Sequence, residues 1–140
     1  MPIKNYRTTV KSIKTVGEIQ EILAAAGARS VSVEYFDKEP DAVKFSLDVY
    51  RNNLAFRLPS NPHGVLETLK RDGAPKSFCN LEHSRHVSWR IIKDWLHSQI
   101  SIIDAGQAQV AEVFFPYLLD ADGETLYRKF EFQQLQLNGE

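Results

Sequence analysis

The chain has 140 residues, 43% of them hydrophobic and 25% charged, which is the composition of one ordinary globular domain and excludes wholesale disorder, collagen and coiled-coil rods. Seventeen basic residues against eighteen acidic ones leave a formal charge of −1, which argues against a protein that coats nucleic acid through net charge. One cysteine, Cys79, excludes an internal disulfide and a cysteine-rich zinc module and suits a reducing cytosol. The opening MPIKNYRTTVK has no apolar core of a secretory signal, and no run approaches the ~18 apolar residues of a membrane span.

A weak alternation over Arg7 to Lys14 predicts a short strand. Thr15-Val16-Gly17-Glu18 has the form of a capping box, and Val16, Ile19, Ile22, Leu23 and Ala26 follow at helical spacing up to a stop at Gly27. Three period-2 runs come next. They are Val31/Val33/Tyr35, Val43/Phe45/Leu47/Val49 and Leu54/Phe56/Leu58, separated by a polar turn at 37–41 and a tight turn at Arg51-Asn52-Asn53, where asparagine tolerates positive φ. Each run has one apolar and one polar face, the pattern of an antiparallel sheet covered on one side.

Val65, Leu66 and Leu69 suggest a short helix, broken by Asp72-Gly73-Ala74-Pro75. The polar stretch from Lys76 to Ser84 reads as a surface loop of roughly 10–14 residues. Ile91, Ile92, Trp95, Leu96, Ile102 and Ile103 then mark a long helix from about His86 to Ala105. Gly106 separates it from a second helix carrying Val110, Phe114, Phe115 and Leu118, which Pro116 should kink or end. The short connection implies an antiparallel helical hairpin. Asp120-Ala121-Asp122-Gly123 is a turn, Leu126, Tyr127 and Phe130 start one more element, and the tail beyond Leu137 should fray. The expected fold is α+β, a single domain over 1–140. A sheet of three or four antiparallel strands lies with the N-terminal helix in about 1–60, a loop in about 60–85, the helical hairpin in about 86–120, and a tail follows.

Neither phosphate-loop motif occurs, nor does a G-x-S-x-G elbow. Cys79-x3-His83-x2-His86 is the nearest approach to a metal site, with only His63, His97 and carboxylates left to complete it, so no metal is expected. Cys79 beside His83 offers a thiol and a base, but a lone cytosolic cysteine is usually inert. The carboxylate groups Glu39/Asp41 and Asp120/Asp122/Glu124 fall in turns, where they serve solubility and local backbone bonding.

The more informative set is cationic and aromatic. Arg51 and Arg57 bracket the third strand, Phe78, Asn80, His83, Arg85 and His86 lie in or after the loop, and Arg90 and Lys93 begin the long helix. Arg57 lies between apolar Phe56 and Leu58 and so should project from the opposite sheet face. The guanidinium fork suits phosphate, and a loop Phe can stack on a base. The same arginines also read as solvated surface charges near Glu67, Glu82 and Asp94. Trp89 and Trp95, six apart, do not share one narrow face, so one should be central and the other can sit at a subunit contact.

The helix ending in AAGA, the meander closing in NNLAFRLP and the stretch HVSWRIIKDWLHSQISIIDAGQAQVAEVFFPYLLDADGETLY resemble the first type of phage Thoeris anti-defence proteins, over most of residues 8–127. That resemblance implies a non-enzymatic sponge in the host cytoplasm. Such a sponge binds a cyclic ADP-ribose isomer made by a bacterial immune TIR protein and withholds it uncleaved. It implies ligand contacts from Arg57 on the sheet, Arg90 on the long helix, and Phe78 and Asn80 in the loop, with no catalytic residues, cofactor or metal. It also implies a pocket between subunits, hence at least a homodimer, and a long helix and a sheet that hold the two arginines on either side of the phosphates. Two other readings stay open. One is a phage nucleic-acid accessory protein using Lys11, Lys14, Lys70, Arg71 and Lys76 on phosphates. The other is a protein-binding inhibitor of another host defence.

Overall fold

Alternating apolar residues in three consecutive segments build an antiparallel meander, β1 (Ser30–Phe36), β2 (Glu39–Val49) and β3 (Asn52–Pro59), in the order β1-β2-β3. The computed structural model describes residues 2–138. The helices are α1 (Ser12–Ala25), α2 (Pro62–Arg71), α3 (Leu81–Asp104), α4 (Val110–Phe114) and α5 (Leu126–Leu137). Among the described residues, no helix is long and apolar enough to cross a membrane.

The apolar face of the sheet carries Val43, Phe45, Phe56 and Leu58, all nearly inaccessible. Helix α1 covers it with Val16, Ile19 and Leu23, and α3 with Trp89 and Leu96. Phe114 closes the core against Phe45, Phe56 and Trp95 at ring separations of 5.5–6.0 Å. Trp89 is the central tryptophan, and its indole N–H donates to the Pro40 carbonyl at 3.2 Å, so its one polar atom is satisfied. Trp95 is used within the chain, edge-on to Phe114 and Tyr117.

Several expected elements take a different form. No strand forms over 7–14. Helix α1 instead begins at Ser12, and Thr15 is buried within it rather than capping it. The first helical N–H, from Ser12, donates to Nδ1 of His86 on α3 at 3.0 Å, with the Ser12 hydroxyl 2.8 Å from the same nitrogen. A tertiary contact thus replaces the local cap, which releases Thr15 and Glu18 for other work. Both hairpins close in two-residue turns, with Asp37 and Lys38, then Tyr50 and Arg51, at positive φ. The asparagines at 52 and 53 are in the strand.

The expected loop at 76–84 is shorter. Lys76–Phe78 form one 3-10 turn and Asn80 caps α3, so the long helix starts five residues before His86. The helical hairpin is curtailed. Pro116 lacks an N–H and cannot extend a helix, so α4 stops at Phe114 and a 3-10 turn over Phe115–Tyr117 follows. Leu118 then runs beside β3, bridged to Phe56, and the Leu119 N–H donates to the Ala55 carbonyl at 2.9 Å. That short pairing covers the β3 edge. The turn at 120–123 is tied by Asp120, whose carboxylate accepts from the N–H groups of Asp122 and Glu124 and pairs with Lys129. Leu137 closes α5 with Asn138 as its C-cap, and the rest of the predicted frayed tail lies outside the described residues.

Candidate functional site

The polar face of the sheet points away from α1 and α3. Register places Lys44 opposite Arg57, and both meet Glu34 of β1. Arg57 Nε donates to Glu34 Oε1 at 2.9 Å, and Lys44 Nζ lies 3.0 Å from Glu34 Oε2. Partial burial opposes the charged form of Glu34. The hydrogen bonds and charges of Arg57 and Lys44 outweigh it and hold the carboxyl below its ordinary range. The sheet register slips at Glu34/Tyr35, and the unpaired Asp41 brings its carboxylate to 3.9 Å from the outer end of Arg57. Among the described residues, neither terminal nitrogen of Arg57 makes a hydrogen bond, and its side chain is 28% exposed. Glu34 therefore aims the guanidinium while leaving its outer edge for an acceptor.

These groups form one wall of a cleft of about 690 Å3. Asn61, at the start of α2, and Tyr117 line the rim, and Thr125, Tyr127 and Arg128 at the start of α5 form the far wall. Lys44, Arg57 and Arg128 supply cations, Glu34 and Glu124 anions, and the tyrosines flat amphipathic surface. The volume lies within the range of small-molecule and cofactor sites. Such a surface can accept an anionic ligand through its arginine forks and stack a ring on tyrosine.

The other three expected ligand residues lie elsewhere in the chain. Phe78 stacks on His83 at 4.6 Å and meets Tyr6 edge-on, while His83 Nε2 donates to the Tyr6 carbonyl at 2.6 Å. Asn80 accepts from the His83 N–H at 2.8 Å and donates to the Ser77 carbonyl at 2.9 Å, so it is the cap of α3. Phe78 and Asn80 therefore share a short segment beside the N-terminal residues. Arg90 sits ten positions along α3 from Asn80, about 15 Å by helical rise. Its guanidinium meets Glu18 of α1 at 2.6 Å and Thr15 Oγ1 at 3.5 Å. With its side chain only 18% exposed, Arg90 joins the two helices, where the sequence suggested a group free for solvent or ligand. The space between the sheet and α3 is filled by the core, so within one chain Arg57 and Arg90 do not face a common pocket.

The sequence pattern by itself does not mark Lys44, Tyr127 or Arg128 as site residues. Lys44 was legible as a polar-face neighbour within the best period-2 run. Tyr127 and Arg128 reach the cleft only because the 118–126 segment turns back along β3, a path set by Pro116 and the Asp120 turn. The Cys79, His83 and His86 spacing does not make a metal centre: among the described residues, no group of three or more His, Cys, Asp or Glu side chains is placed to hold an ion. His83 and His86 each bond to the N-terminal segment, at Tyr6 and Ser12.

Comparison with protein-family models, curated proteins and solved structures finds no match.

Proposed function

We propose that this protein is a phage anti-defence sponge that binds and withholds, without cleaving, a cyclic nucleotide signal of the cyclic ADP-ribose class in the host cytoplasm. The observation that carries the reading is Arg57. It stands on a rigid strand, is oriented by Glu34, makes no hydrogen bond from its terminal nitrogens among the described residues, and lines a cleft large enough for a dinucleotide-type ligand. Two phosphates joined as a pyrophosphate match a guanidinium flanked by Lys44 and Arg128, and the adenine and ribose rings match the tyrosine-lined walls. The sequence resemblance supports the same ligand class and adds Arg90, Phe78 and Asn80 as contacts.

Those three lie on other surfaces of the chain than Arg57. Arg57 and the Phe78–Asn80 segment meet one ligand only where two copies adjoin, with Arg57 of one copy facing the α3 end of the other. Arg90 then contributes by fixing α3 against α1 and by field rather than through an unengaged fork. A sponge acts by mass action: it lowers free signal when sites outnumber signal and Kd lies below the signalling concentration.

The test is to mix the protein with each cyclic ADP-ribose isomer, remove unbound material, denature, and identify what is released by mass spectrometry. The reading predicts stoichiometric recovery of the intact cyclic molecule. No retention of any isomer refutes binding. A linear product accumulating in proportion to protein and time refutes sequestration in favour of hydrolysis.

A further inference from the structure

A second cavity adjoins the cleft. It is an apolar groove of about 220 Å3 lined by Leu58, Pro59, Ile91, Ile92, Trp95 and Tyr117, none of them charged. It shares Pro59 and Tyr117 with the wall of the larger cavity. Two flat walls meet there, since the rings of Trp95 and Tyr117 stand edge-to-face with centroids 5.6 Å apart. Their polar atoms are unused. The buried Trp89 donates its indole N–H to the Pro40 carbonyl, whereas among the described residues the Trp95 N–H and the Tyr117 hydroxyl have no partner. Neither atom is sealed from solvent. Aromatic side chains with a polar handle usually satisfy it when they pack inside a domain, and here two neighbouring handles are left open.

We infer that this groove receives the heteroaromatic base of a nucleotide whose phosphate is held by Arg57 and Lys44 in the adjoining cleft. The inference deepens the ligand reading above and rests on its cleft. Three features select the occupant. The volume is below that of a pocket for a whole ligand and suits one ring system. The Trp95 and Tyr117 faces favour a flat π-system, and their open N–H and O–H suit ring nitrogens and exocyclic groups. An acyl chain or an aliphatic side chain would leave both unpaired. Finally, the cations line the cavity beyond the shared Pro59 and Tyr117, so the occupant joins an apolar end to an anionic one through a short link. Base, ribose and phosphate have that order. This placement puts the base and phosphate contacts on one chain, whereas Phe78 lies on another surface, engaged by His83 and Tyr6.

The probes are AMP and ribose 5-phosphate, which share the sugar and the phosphate and differ in the base. Titration of the full chain up to about 10 mM of each covers millimolar affinity. AMP should bind roughly ten- to a hundredfold more tightly, the contribution of one stacked base. Ile91 packs outside the core cluster, so Ile91→Trp should fill the groove and still melt cooperatively. In that variant the ratio of the two affinities should fall towards one. Saturation-transfer NMR on the parent protein needs no substitution: the two adenine ring protons of AMP should receive more saturation than its ribose protons. Equal affinity for the two probes in the parent protein overturns the inference, as does the absence of AMP binding. So does a ratio that Ile91→Trp leaves unchanged, or an adenine ring saturated no more than the ribose. The two readings fail separately. A cyclic ADP-ribose isomer retained equally by the parent and Ile91→Trp keeps the sponge and removes the groove. A preference for AMP that Ile91→Trp abolishes, with no cyclic isomer retained, keeps the groove and removes the sponge.

Discussion

His86 illustrates how much one side chain can hold. Its Nδ1 accepts the first N–H of α1, so the ring must be neutral there, with its proton on Nε2. Burial is the largest influence and lowers the pKa; His83 and Lys11 act in the same direction, against the weaker pull of Glu82 and Glu39. A histidine whose folded pKa is depressed binds its proton more readily in the unfolded chain. Stability from this contact is therefore full above the ordinary value near 6.5 and falls as pH drops through that value toward the folded pKa. Chemical denaturation at pH 7.5 and 5.5 should show lower stability at the acid end, and His86→Gln, which keeps an acceptor, should flatten that difference. An equal slope in parent and variant would place the acid sensitivity on other groups. No local rule reveals this cap, because its partners are 74 positions apart. The sequence pointed to Thr15 and Glu18, and both instead face α3, where Glu18 meets Arg90 and the buried Thr15 lies alongside.

Turn chemistry explains the main departures at the level of elements. The three strands were readable because Val43, Phe45, Leu47 and Val49 alternate without interruption and the flanking runs match them in register. The turn residues were not, because Tyr50 and Arg51 adopt positive φ against their steric preference while two asparagines wait one place further on. The register Val49↔Asn52 leaves no alternative to these two as the turn, and φ values of 49° and 71° fit a type I′ geometry. Each left-handed non-glycine residue costs about 1 kcal/mol. Replacing Tyr50-Arg51 by Asn-Gly should therefore stabilise the domain by about 1–2 kcal/mol and raise Tm by about 3–6 °C. Tyr50 is 78% exposed, so little packing is lost. A lower Tm would mean that these side chains make contacts that outweigh the strain. Pro116 acts in the opposite sense. It was legible as a helix stop, but the return of the chain along β3 depends on long-range pairing at Phe56 and Ala55, which periodicity does not carry.

For the molecule as a whole, one polar sheet face, a returning segment and an exposed helix combine to make a cleft that no single element contains. Arg57 was identifiable from the sequence because it alternates with Phe56 and Leu58. The cleft around it was not, since Lys44, Tyr127 and Arg128 come together only in the folded chain. The proposed sequestration requires affinity without turnover, and in that proposal the affinity rests on Arg57, the charge that Glu34 orients. The most direct measurement is calorimetric titration of the parent protein and Arg57→Ala with the cyclic ADP-ribose isomer that the parent retains, each protein first shown to melt cooperatively. Loss of one or two charge-assisted hydrogen bonds, each contributing about 1.5–3 kcal/mol, predicts affinity weaker by roughly ten- to more than a hundredfold, with Arg57→Lys recovering part of the loss. Equal affinity in the parent and Arg57→Ala would contradict the account and move the ligand away from this cleft.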